Sequence, residues 1–207
     1  MAGTNKLSDG NNLEIAEKML HDVTRIFEMT KAPYWLEGGT LLGIIREQRL
    51  LPWDNDMDIS MFDSHKLKLF FIIPMLIFRG YRLTFQNHQA DMGPFKKGQL
   101  KIIKIRNYTR RFKKGTVTLD IFIKRQVQED CLWVVGINQR VLKSTPASFT
   151  TNLSFWDFKD KEYSIPQDYD GYLTYRYNEW KTPQKEWDFR TDDQAIIQRD
   201  YQIEEPV

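Results

Sequence analysis

Ala16, Met19, Leu20, Val23, Ile26 and Phe27 recur at spacings of three and four, which turns one face of a helix toward a core and predicts a helix over residues 12 to 30. Asn11 or Asn12 stands at its capping position, and Pro33 ends it. Tyr34 to Leu36 then reads as a short strand leading into a turn at Gly38, Gly39 and Thr40. Leu41 to Glu47 reads as a short helix with its positive N-terminal end beside Thr40. Farther along, the period changes to two. Met57, Ile59 and Met61 alternate with Asp56, Asp58 and Ser60, giving a strand one apolar and one polar face. Asp63 or Ser64 caps the next helix, which Gly80 terminates. Strands follow at Tyr81 to Phe85, Leu100 to Tyr108 and Thr116 to Ile123, the last two joined by a hairpin connection ending in Gly115.

Two segments modify this picture. The run from Leu67 to Phe78 is the most apolar of the chain, but Lys68 and Pro74 interrupt it, and it is shorter than the roughly 20 residues that cross a bilayer as a helix. A buried helix is the expectation. From Thr150 onward aromatic residues become dense, Pro166 introduces a helical stretch near Asp168 to Tyr177, and Trp180 and Trp187 flank Pro183, which predicts a lobe packed on the sheet. Residues from about 189 to 207 read as a polar tail. The sum is an α+β fold in which a mixed sheet is flanked by helices and carries an aromatic-rich C-terminal lobe. It is expected to form one domain with a core over about residues 12 to 188.

Composition narrows the functional classes. The 207 residues carry a formal charge of only +2, so nothing general in the electrostatics calls for nucleic acid or a charged membrane as partner, and any basic function must be local. Cys131 is the only cysteine, and no Cys/His set has structural-zinc spacing. Met1 to Asn12 is polar and lacks the apolar core of a secretory signal. A reducing compartment, the cytoplasm, and a chain without a transmembrane segment are therefore expected.

The chemistry concentrates in residues 34 to 58. Side chains two apart on a strand share a face, so Asp56 and Asp58 present their carboxylates to one ion. Magnesium takes oxygen ligands at about 2.0–2.1 Å and keeps several waters, so two or three carboxylates plus substrate phosphates suit it. Acidic residues beside a strand are often merely solvated, but two features argue otherwise here. Gly38, Gly39 and Thr40 stand upstream, where a turn of backbone N–H groups at a helix end can hold phosphate. Asp120 interrupts the apolar alternation of Val117, Leu119, Ile121 and Ile123, and falls on the opposite face with Thr118 and Phe122. An unpartnered aspartate in a central strand costs several kcal/mol, so a metal ligand or a general base is the economical explanation.

At this point the sequence resembles a known group. The glycine turn, the Asp-x-Asp and the later acidic residue resemble the nucleotidyltransferase-fold superfamily. Gly-Gly-Thr-Leu-Leu-Gly-x-x-Arg from Gly38 to Arg46, followed by Pro52-Trp-Asp-x-Asp-x-Asp58, resembles the LicD family of phosphocholine transferases, fukutin and fukutin-related proteins. Thr118-Leu-Asp-Ile-Phe122, Ile165 to Leu173, Trp180-Lys-Thr-Pro183 and Trp187-Asp188 continue it. Asn55 replaces an aspartate frequent in bacterial members, with the alternating carboxylates intact. The resemblance implies a nucleotidyltransferase-like sheet. It further implies transfer of an alcohol phosphate, such as phosphocholine or ribitol phosphate, from a CDP-linked donor to a carbohydrate or glycoconjugate hydroxyl, with Mg²⁺ or Mn²⁺.

On that reading Asp56 and Asp58 hold the metal and neutralise the diphosphate, and Asp120 either completes the site or accepts the acceptor's proton. Asp54 is a further ligand or orients the turn. Arg46 pairs with phosphate or is a surface residue, and Lys104 and Arg106, on one strand face, meet donor phosphates. Arg110, Arg111, Lys113 and Lys114 read as a solvated hairpin tip before an acceptor site. Among the aromatics Trp53, Tyr172, Tyr175, Trp180 and Trp187, only Trp53 gains much from adjacency to the acids. Two other readings stand beside this one: a nucleotidyltransferase that uses a nucleoside triphosphate and releases pyrophosphate, and a non-catalytic glycan- or protein-binding member.

Overall fold

A computed structural model describes residues 5–108, 114–184 and 187–200. The elements run α1 (Asn12–Met29), β1 (Trp35–Glu37), α2 (Gly38–Glu47), β2 (Met57–Phe62), a 3-10 turn (Asp63–Lys68), α3 (Leu69–Phe78), β3 (Arg82–Asn87) and β4 (Leu100–Tyr108). They continue through β5 (Lys114–Val127), β6 (Asp130–Val135), β7 (Val141–Pro146), α4 (Ser148–Thr151), β8 (Leu153–Phe158), β9 (Lys161–Pro166), α5 (Tyr169–Tyr177) and β10 (Ile196–Arg199).

The long strand β5 organises the sheet. Its first half lies between β4, antiparallel, and β2, parallel, while its second half pairs antiparallel with β6. β1 and β3 extend the first part, and β7 and β10 extend the second. One parallel pairing among antiparallel ones makes the sheet mixed, and helices flank it, as the hydrophobic pattern predicts. β8 and β9 form a separate hairpin.

The alternation read from the sequence supplies the core. Met57, Ile59 and Met61 of β2, Leu119, Ile121 and Ile123 of β5 and Ile103 and Ile105 of β4 cluster with Met19, Leu20, Val23, Ile26 and Phe27 of α1. Burying each large side chain contributes roughly 1.5–3 kcal/mol, which fixes the register of these strands against α1. Asn11 occupies the N-cap of α1 without a side-chain bond. The neighbouring Asn12 instead donates to the Lys6 carbonyl and accepts from Thr116 Oγ1 at 2.6 Å, tying the helix start to β5. At α5 the Asp168 carboxylate accepts from Gly171 N–H, a side-chain cap in the stretch that Pro166 introduces.

Three expectations change. The Leu67 to Phe78 helix is not buried. Leu69, Ile72 and Leu76 reach the core, but Phe70, Phe71, Ile77 and Phe78 face outward, because a single surface helix has only one side to bury. Residues 189–200 are not a polar tail either: β10 pairs with β7, Ala195 is fully buried, and Asp193 lies between Lys143 and Arg176. Buried counter-charges on distant elements draw this acidic stretch in. Finally, β6, β7 and β10 join the sheet, and β8 and β9 form their own hairpin, beyond the strands that the sequence pattern picks out. Residues 201–207, Arg110, Arg111 and Lys113, and the side chain of Lys114 lie outside the described residues.

Removing one partner of a buried ion pair strands the other charge, at a cost of about 3–5 kcal/mol. Asp193→Ala is therefore expected to lower unfolding stability by that amount in urea titrations. A loss below about 1 kcal/mol, the range of an exposed pair, would show that the segment does not hold the fold.

Candidate active site

Strand pairing assembles the site from residues distant in sequence. Glu37 pairs with Asp58, Asp58 with Asp120 and Asp120 with Lys104, so these four lie in one row across β1, β2, β5 and β4. Residues directly opposite across a ladder share a face, and this face is the one turned away from the apolar alternation. Asp56, two residues before Asp58, joins the same group. One ligand oxygen from each of Asp56, Asp58 and Asp120 lies within 4.8 Å of the other two, a spacing that one cation can span.

The glycines make room for these acids. Gly38, at φ +56°, lets the chain leave β1 and enter α2 at once, so Gly38-Gly39-Thr40 is the first turn of a helix rather than a separate turn before one. A β-carbon on Gly38 would come within 2.8 Å of Asp58 Oδ2, and one on Gly39 within 2.0 Å of Asp54 Oδ2. Both carboxylates thus pack directly against the glycine backbone. The Thr40 hydroxyl accepts the Asp58 N–H at 2.8 Å, which clamps the start of α2 to β2. From the other side, Leu7 N–H donates to the Asp54 carbonyl at 2.8 Å and Ser8 N–H to that of Pro52, so the N-terminal segment braces the acidic loop.

Burial raises the carboxyls of all four aspartates in the group. Burial, reinforced by the charge of Asp56, pushes the Asp54 carboxyl up to about 7, with Arg46 opposing. Burial also raises Asp56, against the pull of Lys104 and Arg106. Asp58 is raised well above the ordinary carboxylate range, by burial and then by the charges of Asp56, Asp120, Asp54 and Glu37. Asp120 is pushed up to about 6 by burial, with Lys104 opposing and Asp56 adding to the rise. Its two oxygens differ: Oδ2 accepts from Lys104 Nζ, whereas Oδ1 is buried without a hydrogen-bond partner. A buried oxygen left unmatched beside two more carboxylates suits a cation.

The remaining candidates divide. Lys104 and Arg106 stand beside the acids, Lys104 on Asp120 and Arg106 Nε on Thr118 Oγ1 at 3.2 Å. Arg46 is bound to Glu47 at 2.6 Å and to the Trp180 carbonyl at 3.1 Å, an anchor for the loop after α5. Tyr172 and Trp180 are buried, and Trp187 packs against Tyr177 with the rings tilted by 45°. Trp53 is 47% exposed next to Asp54.

Sequence reasoning missed the residues beneath the row. Glu37 accepts from Lys124 at 2.7 Å, Arg176 at 2.5 Å, Tyr172 at 2.6 Å, Trp35 and Ser60. Arg176 and Lys143 meet at Asp193. Burial pushes Glu37 up, but the charges of Lys124 and Arg176 outweigh it and hold the carboxyl below the ordinary carboxylate range. One signal was present: Lys124 follows Asp120 and Phe122 on the polar face of an otherwise apolar strand.

Comparison with known proteins places this geometry. The family model described as LicD/FKTN/FKRP, nucleotidyltransferase domain, matches residues 31–168, a span that contains the glycine corner and all four aspartates. The chain belongs to this LicD/FKTN/FKRP nucleotidyltransferase-domain family. Among similar proteins, mouse (Mus musculus) ribitol-5-phosphate transferase FKTN is 29% identical over 86% of this chain and 34% of its own length. An uncharacterized protein of Rickettsia prowazekii is 30% identical over 33% of this chain and 26% of its own. The chain spans about a third or less of the length of the curated relatives it matches. Among solved structures, ANT(2″)-Ia in complex with adenylyl-2″-tobramycin is similar over 55% of this chain and 52% of that one, at 17% identity and a TM-score of 0.36.

The raised carboxyls give a signed pH dependence. Their folded pKa values lie above the unfolded value near 3.8, so the stability they allow is fully present below about pH 4 and lost as pH rises through about 6 to 7. In metal-free buffer, the melting temperature is expected to fall between pH 5 and pH 8, and Asp58→Asn to flatten that fall. An equal slope in wild type and variant would contradict the crowding.

Proposed function

We propose that this chain transfers an alcohol phosphate of the phosphocholine or ribitol phosphate kind from a CDP-linked donor to a glycan hydroxyl, releasing CMP, with Mg²⁺ or Mn²⁺ as cofactor. The observation that carries this reading is the convergence of Asp56, Asp58 and Asp120 at a glycine-opened corner, in a family whose curated relatives include ribitol 5-phosphate transferases. The unmatched Asp120 Oδ1 and the all-oxygen donor set fit a hard divalent cation. When bound, that ion supplies neutralisation of the diphosphate and of the charge that develops on the departing CMP.

The chain's own residues supply the rest. Lys104 and Arg106 bring positive charge to the edge of the acidic group, where phosphate oxygens would approach. Trp53 offers an exposed aromatic face for the cytosine or the sugar. Asp54 lies outside the cation-holding trio and, with a carboxyl pushed up to about 7, is matched to accept the acceptor hydroxyl's proton near neutral pH.

The test is incubation with a panel of CDP-alcohols and magnesium, following CMP release with and without candidate glycans. Release from a CDP-alcohol is expected, and Asp58→Ala should lower it by at least about 100-fold, the loss typical when one stabiliser of transition-state charge is removed. The variant should remain folded and melt no lower than wild type, because it relieves repulsion and leaves the apolar strand face intact. Pyrophosphate release from a nucleoside triphosphate would move the reaction to the α-phosphorus instead.

Cation binding has its own readout. Mg²⁺ or Mn²⁺ is expected to raise the melting temperature more at pH 8 than at pH 5, since protons compete for the same oxygens. A shift that is equal at both pH values, or that survives in Asp58→Ala, would remove the metal from this site.

A further inference from the structure

The helix α3 is apolar on both sides. Leu69, Ile72 and Leu76 are buried in the core. On the opposite side Leu67, Phe70, Phe71, Ile77 and Phe78 are 81%, 79%, 60%, 57% and 93% exposed. With the exposed Pro74 between them, their spacing of three and four makes one continuous stripe. Isolated apolar residues are ordinary on a surface, but a contiguous aromatic and aliphatic face of this kind marks an interaction site. The stretch from Leu67 to Phe78 is about 18 Å long at 1.5 Å per residue, well short of a bilayer's hydrocarbon core. No helix among the described residues is long and apolar enough to cross a membrane.

Charge around the stripe selects the partner. Lys66 and Lys68 stand at its start, and Arg79, 47% exposed and 3.6 Å from Asp22, at its end. The nearby carboxylates are neutralised within the protein: Asp63 by Arg125, and Asp22 by Lys18 at 2.7 Å with a hydrogen bond from Tyr81. An apolar stripe rimmed by cations matches a layer of acyl chains beneath anionic headgroups. It matches a second copy of the chain poorly, because a symmetric pairing through this stripe would bring two basic rims together.

We infer that the outer stripe of α3 is an interfacial anchor that seats the protein on an anionic phospholipid surface. The helix lies flat, its inner face on the protein core and its phenylalanines among the acyl chains. Leu69, Ile72 and Leu76 share a cluster with Leu119 and Ile121, on the side of the sheet opposite Asp58 and Asp120. Docking through α3 therefore leaves the carboxylate face uncovered.

The full chain should be sedimented with vesicles of phosphatidylcholine alone and of phosphatidylcholine mixed with phosphatidylglycerol. Binding at least about tenfold tighter to the anionic vesicles is expected, and Phe70→Ser/Phe78→Ser and Lys66→Glu/Lys68→Glu should each weaken it by about tenfold or more. Unchanged melting temperatures will show that these exposed substitutions leave the fold intact. No binding, equal binding to both vesicle types, or binding indifferent to the substitutions would overturn the inference. So would a stable dimer in analytical ultracentrifugation that Phe70→Ser/Phe78→Ser disperses.

Discussion

Like charges crowded on one sheet face are the constraint around which this molecule is built. Glu37, Asp58 and Asp120 are consecutive neighbours across three strands, and Asp54 and Asp56 press in from the preceding loop. The fold answers this charge in two ways. At Glu37 the answer is closed and internal: Lys124, Arg176 and Tyr172 saturate the carboxylate, and Arg176 is held in turn by Asp193, which also pairs with Lys143. Beyond it, Lys104 and Arg106 act on Asp56 and Asp120, and Arg46, bound to Glu47 and a backbone carbonyl, acts on Asp54. Hence Glu37 stays ionised and the aspartates are pushed toward protonation. The imbalance is what makes one half of the face structural and the other half a candidate site.

How much of this could be read from sequence depended on whether the governing partner was local. The alternation of Met57, Ile59 and Met61 with Asp56, Asp58 and Ser60 made a two-faced strand legible, and Asp120 stood out against its apolar neighbours. That β2 and β5 run parallel with Asp58 opposite Asp120 is a matter of pairing register, which the spacing within either strand does not contain. Gly38 and Gly39 were legible as special positions, but the special requirement is space for Asp58 and Asp54, atoms that the turn meets only after folding. The stretch from 189 to 200 read as a tail because Asp193 has its counter-charges at Lys143 and Arg176. Nothing within a window of a few residues announces such a partner.

The apolar run at Leu67 to Phe78 failed for a different reason. Hydropathy reports how strongly a segment avoids water, not which of its sides the protein can cover. With α1 and the back of the sheet on one side only, α3 has a core contact for Leu69, Ile72 and Leu76 and none for Phe70 or Phe78. Its low amphipathic contrast is thus the signal itself. A surface helix that retains a nonpolar outer face does so against the cost of exposing it, and a protein with nearly balanced charge has few other means of adhering to a surface.

The pairing of Lys104 with Asp120 links the structural and chemical halves of the sheet. A lysine bound to a carboxylate normally argues against that carboxylate's being available, since the pair is already neutral. Here the ammonium occupies Oδ2 alone, and Oδ1 is buried with no hydrogen-bond partner in a carboxylate that lies beside those of Asp56 and Asp58. The lysine therefore aims the carboxylate rather than consuming it. Its own reach from β4 is set by the ladder that places Lys104 opposite Asp120. Sheet pairing thus determines both where the third acid stands and which of its oxygens remains to be used.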